Sequence, residues 1–127
     1  MMQNVYHSNS NQILNVLPKV NEVVIPIEKL TGYALDPMKS GGKSIAFREA
    51  LGYDKNNADL LINEIKRKLN KFPARQKDNK GYGYTYDVLM ELVGVNGKTA
   101  NVMTAWLDDE KTGKMRLTSV YVKKRKG

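Results

Sequence analysis

The chain contains no cysteine and a single histidine, His7. The first absence excludes disulfides, thiolate metal sites and cysteine nucleophiles together. The second excludes a histidine-rich metal cage and leaves proton transfer to other residue types unless His7 itself takes part. No apolar run approaches the roughly 20 residues that cross a bilayer. The start, MMQNVYHSNSNQ, lacks the basic residues and apolar stretch of a secretory signal. An exported form is therefore expected to travel by a route that the N-terminus does not show, or within a longer polypeptide. Acidic residues are in deficit as well, 13 against 21 lysines and arginines among 127 residues, for a formal charge of +8. That balance favours a polyanionic partner: nucleic acid first, an acidic protein second, an anionic membrane third. The same charge also serves plain solubility.

What is present is patterned. Residues 81–123, GYGYTYDVLMELVGVNGKTANVMTAWLDDEKTGKMRLTSVYVK, read as three strands joined by two short turns. Asn96-Gly97 predicts a two-residue hairpin of type I′, whose central residues both need positive φ. Residues 109–113 predict a longer polar loop with glycine at its end, and the runs between are rich in Val, Leu, Thr, Tyr and Trp, which suit a half-buried pleated surface. Upstream, Val23-Val24-Ile25 suggests a small strand, and Pro26 suits the first position of a helix over 26–35 with Ile27, Leu30, Tyr33 and Ala34 on one side. A second helix is predicted over 43–51, with Ile45, Phe47 and Leu51 in the core and Gly52 as its stop. A third is predicted over 58–71, with Leu60, Leu61, Ile65 and Leu69 at helical spacing. Residues 72–80 read as a polar connector or short edge strand. Helices first and strands after predict an α+β class: N-terminal helices packed on one face of a C-terminal antiparallel β-meander. The expected organisation is a polar N-terminal segment over 1–22, one domain over 23–123, and a basic tail over 124–127.

Alternation along the strands sorts the candidates for chemistry. Arg116, Thr118, Val120 and Val122 share one face of the last strand, and Val102, Thr104 and Trp106 share one face of the middle strand. The economical arrangement puts Met103, Ala105 and Leu107 in the core with Leu117, leaving Thr104, Trp106, Arg116 and Thr118 together on the open face, with Lys43 leaning over them. Such a set suits phosphodiester chemistry: cations neutralise charge at phosphorus, hydroxyls bind the non-bridging oxygens, and aromatics stack a base. RNA brings its own nucleophile, the 2′-OH. The general base would be a lysine, a tyrosine or a carboxylate such as Asp87. Arg48, Lys98, Lys123 and Lys124 would supply the basic surface that follows an RNA backbone, with Trp106 stacking a base. Plain structural readings stand beside these. Trp106 also suits packing, Thr104 and Thr118 are good strand formers, Tyr82, Tyr84 and Tyr86 can cover a sheet face, and Lys43 and Arg116 suit salt bridges. Gly41-Gly42-Lys43-Ser44 resembles the end of a phosphate-binding Walker loop, but the upstream glycine is missing. Asp108-Asp109 is a weak metal signal.

Two blocks, IPIEKLTGYALDP…GGKSIAFREALGYDKNNADLL and YGYTYDVLMELVGVNGKTANVMTAWLDDEKTGKMRLTSVYV, cover most of 23–123. Together they resemble a C-terminal toxin-type domain of unknown function. That domain occurs at the ends of bacterial haemagglutinin-like, contact-dependent inhibition and LXG-type polymorphic toxins, and in some phage head-associated proteins. The resemblance implies a fold similar to the barnase–EndoU–colicin–RelE group of ribonucleases, RNA cleavage without metal or other cofactor, and neutralisation by a cognate immunity protein. It carries roles onto Lys43 in GGKSIAF, Thr104 and Trp106 in TAW, and Arg116, Thr118 and Tyr121 in RLTSVY. The histidine used by several ribonucleases of that group is absent from the domain, whereas the RelE-like branch works with Lys, Arg and Tyr. The expectation is a monomeric effector that cleaves tRNA or other RNA in a target-cell cytoplasm, does not engage a membrane, and is held by an acidic immunity protein. The alternative is a non-catalytic module that binds nucleic acid or protein. A nuclease acting on DNA comes third, because no metal-ligand cluster is present to support it.

Overall fold

In β3 (Tyr84–Val93) every second side chain is buried: Tyr86, Val88, Met90 and Leu92 point into the core while Leu89, Glu91 and Val93 face out. That period of two marks a strand covered on one side. The computed structural model describes residues 12–124. In it β1 (Gln12–Leu14), β2 (Ala74–Asn79), β3, β4 (Thr99–Asp109) and β5 (Lys114–Val122) lie side by side in chain order as one five-stranded antiparallel sheet. Three helices, α1 (Pro37–Ser40), α2 (Gly42–Leu51) and α3 (Ala58–Lys68), precede the long strands, with α2 against β4 and β5 and α3 against β3. The α+β meander expected from the sequence is thus the fold. Segment 72–80, expected as a connector or short edge strand, is instead an interior strand, paired with β3 on one side and with the unexpected β1 on the other.

The face assignment in β4 is the reverse of the one expected. Val102, Thr104 and Trp106 are fully buried, beside Met115, Leu117 and Val120 of β5, whereas Met103, Ala105 and Leu107 lie on the outer face. The pairing of Trp106 with Leu117 sets those faces, and an irregularity in β5 adds a second departure. Trp106 pairs with Leu117 but Ala105 pairs with Ser119, which leaves Thr118 as an extra residue, a β-bulge. The bulge switches the parity of β5, so Arg116 and Val120 fall on opposite faces although simple alternation puts them together. Burial of an indole removes roughly 150–250 Å² of surface from water, worth on the order of 4–6 kcal/mol. That gain favours Trp106 over its smaller neighbour Ala105 as the inward residue.

The polar N-terminal segment expected over 1–22 belongs to the fold from Gln12 onward. β1 pairs with β2 at one sheet edge, Leu17 is fully buried in the core, and the chain reaches the opposite edge where Val24 bridges β5 at Arg116. Midway, Lys19 adopts a left-handed conformation (φ 57°), the only non-glycine to do so among the described residues. That conformation costs roughly 1–2 kcal/mol, offset by the ammonium, which donates to Asp108 Oδ1 at 2.7 Å and to the Gly113 carbonyl at 2.9 Å.

Local chemistry explains the remaining elements. The helix expected over 26–35 forms over residues 28–34 and widens at Leu30–Ala34, which buries Leu30 and Ala34 and leaves Tyr33 48% exposed. Asp36 caps α1 by accepting from the Met38 N–H, and Gly52 closes α2 in the left-handed conformation. Ile45 and Leu60, expected in the core, are exposed, while Phe47, Leu51, Leu61 and Ile65 are buried. The β3–β4 connection is longer than a type I′ turn. Gly94 N–H donates to Lys98 O at 2.7 Å and Gly97 N–H to Gly94 O at 3.0 Å. Gly97 has positive φ and Asn96 does not. Glu64 of α3 is buried and ties the helix to the sheet: it accepts from the Val93 N–H at 2.9 Å, from Lys68 at 2.8 Å and from Arg67. Burial pushes its carboxyl up, but the bonds from Lys68, the Val93 amide and Arg67 outweigh that and hold it below the usual range.

Candidate functional site

The outer edge of β5 is paired at one point only among the described residues. Val24 N–H donates to Met115 O at 2.8 Å and Leu117 N–H donates to Val24 O at 2.9 Å, on either side of Arg116. Two residues on, Pro26 has no N–H to continue the ladder. The chain leaves the strand there, and a cleft of about 610 Å³ opens between the 26–34 segment, the start of α2 and β5. Its lining includes Glu28, Lys29, Tyr33, Lys43, Arg116, Thr118 and Ser119.

Three cations, a carboxylate, hydroxyls and aromatic faces therefore meet in one opening. Lys43, the second residue of α2, holds its Nζ over the ring of Tyr33 at 5.6 Å from the centroid and over that of Tyr121 at 5.5 Å. Among the described residues Glu28, Lys29 and Lys43 form no ion pair. Arg116 does: its Nη2 lies 3.2 Å from Asp109 Oδ2. The Lys111 amide, donating to Asp109 Oδ1 at 2.9 Å, and then the Arg116 guanidinium hold that carboxyl below the usual range. Asp109 therefore stays ionised and fixes the guanidinium at the mouth of the cleft. Arg116 also borders a neighbouring hollow of about 500 Å³ with Tyr82 and Lys111. The Thr118 hydroxyl donates to the Ala105 carbonyl at 3.1 Å, and so holds the bulge.

Of the residues singled out from the sequence, the structure brings Lys43, Arg116, Thr118 and Tyr121 together at this cleft. It removes Thr104 and Trp106, both fully buried. The Trp106 indole donates to the Thr104 hydroxyl and that hydroxyl to the Val88 carbonyl, each at 2.8 Å, so these two order the core and contact no substrate. Arg48 lines a different hollow with Pro37, Asp54 and Lys55. Lys98 stands in the β3–β4 turn, at the other end of β4 from Asp109, roughly 3.3 Å per residue along the strand. Lys123 and Lys124 are exposed just past β5 and extend the basic surface from Tyr121. Asp87 pairs with Lys77 at 3.5 Å on the outer face of β3, away from the cleft. His7 lies outside the described residues. Asp108 and Asp109 are each engaged by a cation, Lys19 and Arg116. Among the described residues no three His, Cys, Asp or Glu side chains converge as a metal site, and no helix is long and apolar enough to cross a membrane.

Tyr33, Glu28, Lys29 and Ser119 belong to the cleft and escaped the sequence reading. The helical pattern over 26–35 assigned Tyr33 to the core. Pro26 directly after an apolar triplet was the available signal for a strand that stops and a cleft that begins.

The fold and the cleft define a small basic α+β domain with a phosphate-compatible opening at one sheet edge. Residues 16–124 match the family described as Domain of unknown function (DUF6883), and the chain belongs to it. No curated protein and no solved structure matches it significantly.

Proposed function

We propose that this domain is a metal-independent endoribonuclease module of toxin type. The observation that supports the reading is the convergence of Lys29, Lys43 and Arg116 with the faces of Tyr33 and Tyr121 and with Glu28, the sole carboxylate among the lining residues. Cations at this density suit a phosphodiester and the extra charge it gains at the pentacoordinate stage, and the tyrosines suit an unstacked base. In this scheme Glu28 takes the proton of the 2′-OH and O2′ attacks phosphorus. The P–O5′ bond then breaks as a lysine ammonium donates its proton to O5′. The products are a 2′,3′-cyclic phosphate and a 5′-OH. In the same reading the substrate is tRNA or other RNA of a target-cell cytoplasm, and the +8 charge suits an acidic immunity protein as partner.

The test is incubation of the purified protein with total bacterial RNA in EDTA, read on a denaturing gel with end-group analysis. Discrete fragments ending in 2′,3′-cyclic phosphate are expected, and intact RNA at high enzyme concentration overturns the assignment. A second reading, a nucleic-acid-binding module without catalysis, is favoured by one observation: Asp109 already neutralises Arg116 in part. It predicts intact RNA that is nevertheless retained at low salt.

A further inference from the structure

The Lys43 ammonium covers the faces of both tyrosines at the cleft, with ring centroids 5.6 and 5.5 Å away. A base stacked on the ring face that Lys43 covers needs the space that Nζ occupies, so on that face the two uses exclude each other. Among the described residues nothing else holds this lysine: it has no ion pair, and its side chain is exposed. We propose that Lys43 and a nucleobase exchange on these faces. The phosphate of a nucleotide draws the ammonium off the rings, and the base of the same nucleotide stacks where it stood.

The relative strengths make this a recognition device. An ammonium on an exposed tyrosine contributes only about two- to fivefold in a binding constant. A charge-assisted bond to phosphate and a base stacked on an aromatic ring each exceed that. A free nucleoside must displace Lys43 without offering it a new partner. Inorganic phosphate recruits Lys43 but leaves the rings bare. A nucleotide supplies both halves, so the cleft selects base and phosphate jointly. The inference rests on the RNA-directed reading above and adds to it the coupling between the two halves of the ligand.

The experiment titrates the whole chain with uridine, adenosine, their 3′-monophosphates and inorganic phosphate, following the tyrosine ring resonances by NMR. Lys43→Ala is expected to tighten nucleoside binding about two- to fivefold while weakening nucleotide binding about tenfold. Lys43→Gln, uncharged but still polar, is expected to move both in the same directions. Nucleoside affinity that is unchanged or lower in both variants overturns the exchange. The two readings fail separately. RNA cleavage with unaltered nucleoside affinity removes the exchange alone, whereas tightened nucleoside binding by a protein that leaves RNA intact removes the enzyme alone.

Discussion

Trp106 and Thr104, two residues apart on β4, are joined inside the core: the indole N–H donates to the threonine hydroxyl at 2.8 Å, and the hydroxyl donates to the Val88 carbonyl at 2.8 Å. The hydroxyl thereby satisfies one donor and one acceptor that have no water to turn to. Thr104→Val keeps the shape and strands both partners. A loss of about 2 kcal/mol in urea denaturation is expected, with RNA affinity unchanged well below the melting temperature. A Thr104→Val protein of wild-type stability, or one that folds normally but loses RNA binding, would contradict this placement.

Val24 bonds the backbone of Met115 and Leu117 on either side of Arg116, and Asp109 holds the Arg116 guanidinium. Arg116→Ala leaves the backbone bonds in place, so the fold is expected to survive by circular dichroism. RNA cleavage is expected to fall by at least a hundredfold, the scale of removing one transition-state donor. Asp109→Asn releases the guanidinium and is expected to tighten RNA binding at low salt. Because the Lys111 amide and the Arg116 guanidinium hold the Asp109 carboxyl below its usual range, the wild type is expected to match that affinity only at a pH below that range.

Binding through Lys29, Lys43 and Arg116 implies a definite salt dependence. Three phosphate contacts to single-stranded RNA predict a slope of about −2 in log K against log salt, and loss of one contact in Lys43→Ala a slope shallower by about 0.7. Filter binding over a salt series checks both. An unchanged slope in the variant would place Lys43 off the phosphate path.

The buried Glu64 sets a pH term in stability. Its carboxyl is held below its usual range in the folded state, so its contribution is fully present above the unfolded value of about 4.3 and is lost as the pH falls through the lower folded value. Glu64→Gln removes that term. At pH 7 the variant is expected to lose about 2 kcal/mol by urea denaturation, and the gap to wild type is expected to narrow toward pH 3. A gap that widens in acid would reverse the sign and defeat the assignment.

Gly94 passes against the end of α2. A Cβ placed there would lie 2.1 Å from the Leu51 carbonyl oxygen, a backbone atom with no freedom to rotate away. Gly94→Ala is therefore expected to cost at least 2–3 kcal/mol, the range of overpacking and backbone displacement. Asn96→Ala in the same turn is expected to cost less than 1 kcal/mol, because its amide bonds are exposed. Parallel melting curves of the two variants decide the matter.

Much of this fold was legible because period, turn chemistry and element order agree in the segments 43–51, 58–68 and 84–122. What escaped was set by single residues whose effect is not local. The Thr118 bulge exchanges the faces of β5 while each half still alternates normally, and the pairing of Trp106 with Leu117 turns Thr104 and Trp106 inward. Register is fixed by partners across the strand, and one chain read alone does not display them. Gln12–Leu14 is too short to announce a strand, and it pairs along the free edge of β2. Within the site, Lys43, Arg116, Thr118 and Tyr121 were found by residue type. Tyr33 was missed because a tyrosine on an apolar helical stripe looks like core, and the widening of the helix at Leu30–Ala34 is not written in that stripe.

The Val24–Arg116 bridge joins residues far apart in the chain, which gives it a place in time as well as in space. The hairpins of the meander close small loops, whereas this contact must close a very large one, and contacts of high sequence separation form late. The pairing that flanks Arg116 is thus expected to be among the last to form on folding. A growing or partly unfolded chain would hold most of its sheet before the cleft beside β5 takes shape. The Leu117 amide, bonded to Val24, is expected to exchange with solvent faster than the amides between β3 and β4. If so, the site can be dismantled by a partner that peels away the N-terminal segment while the meander stays folded.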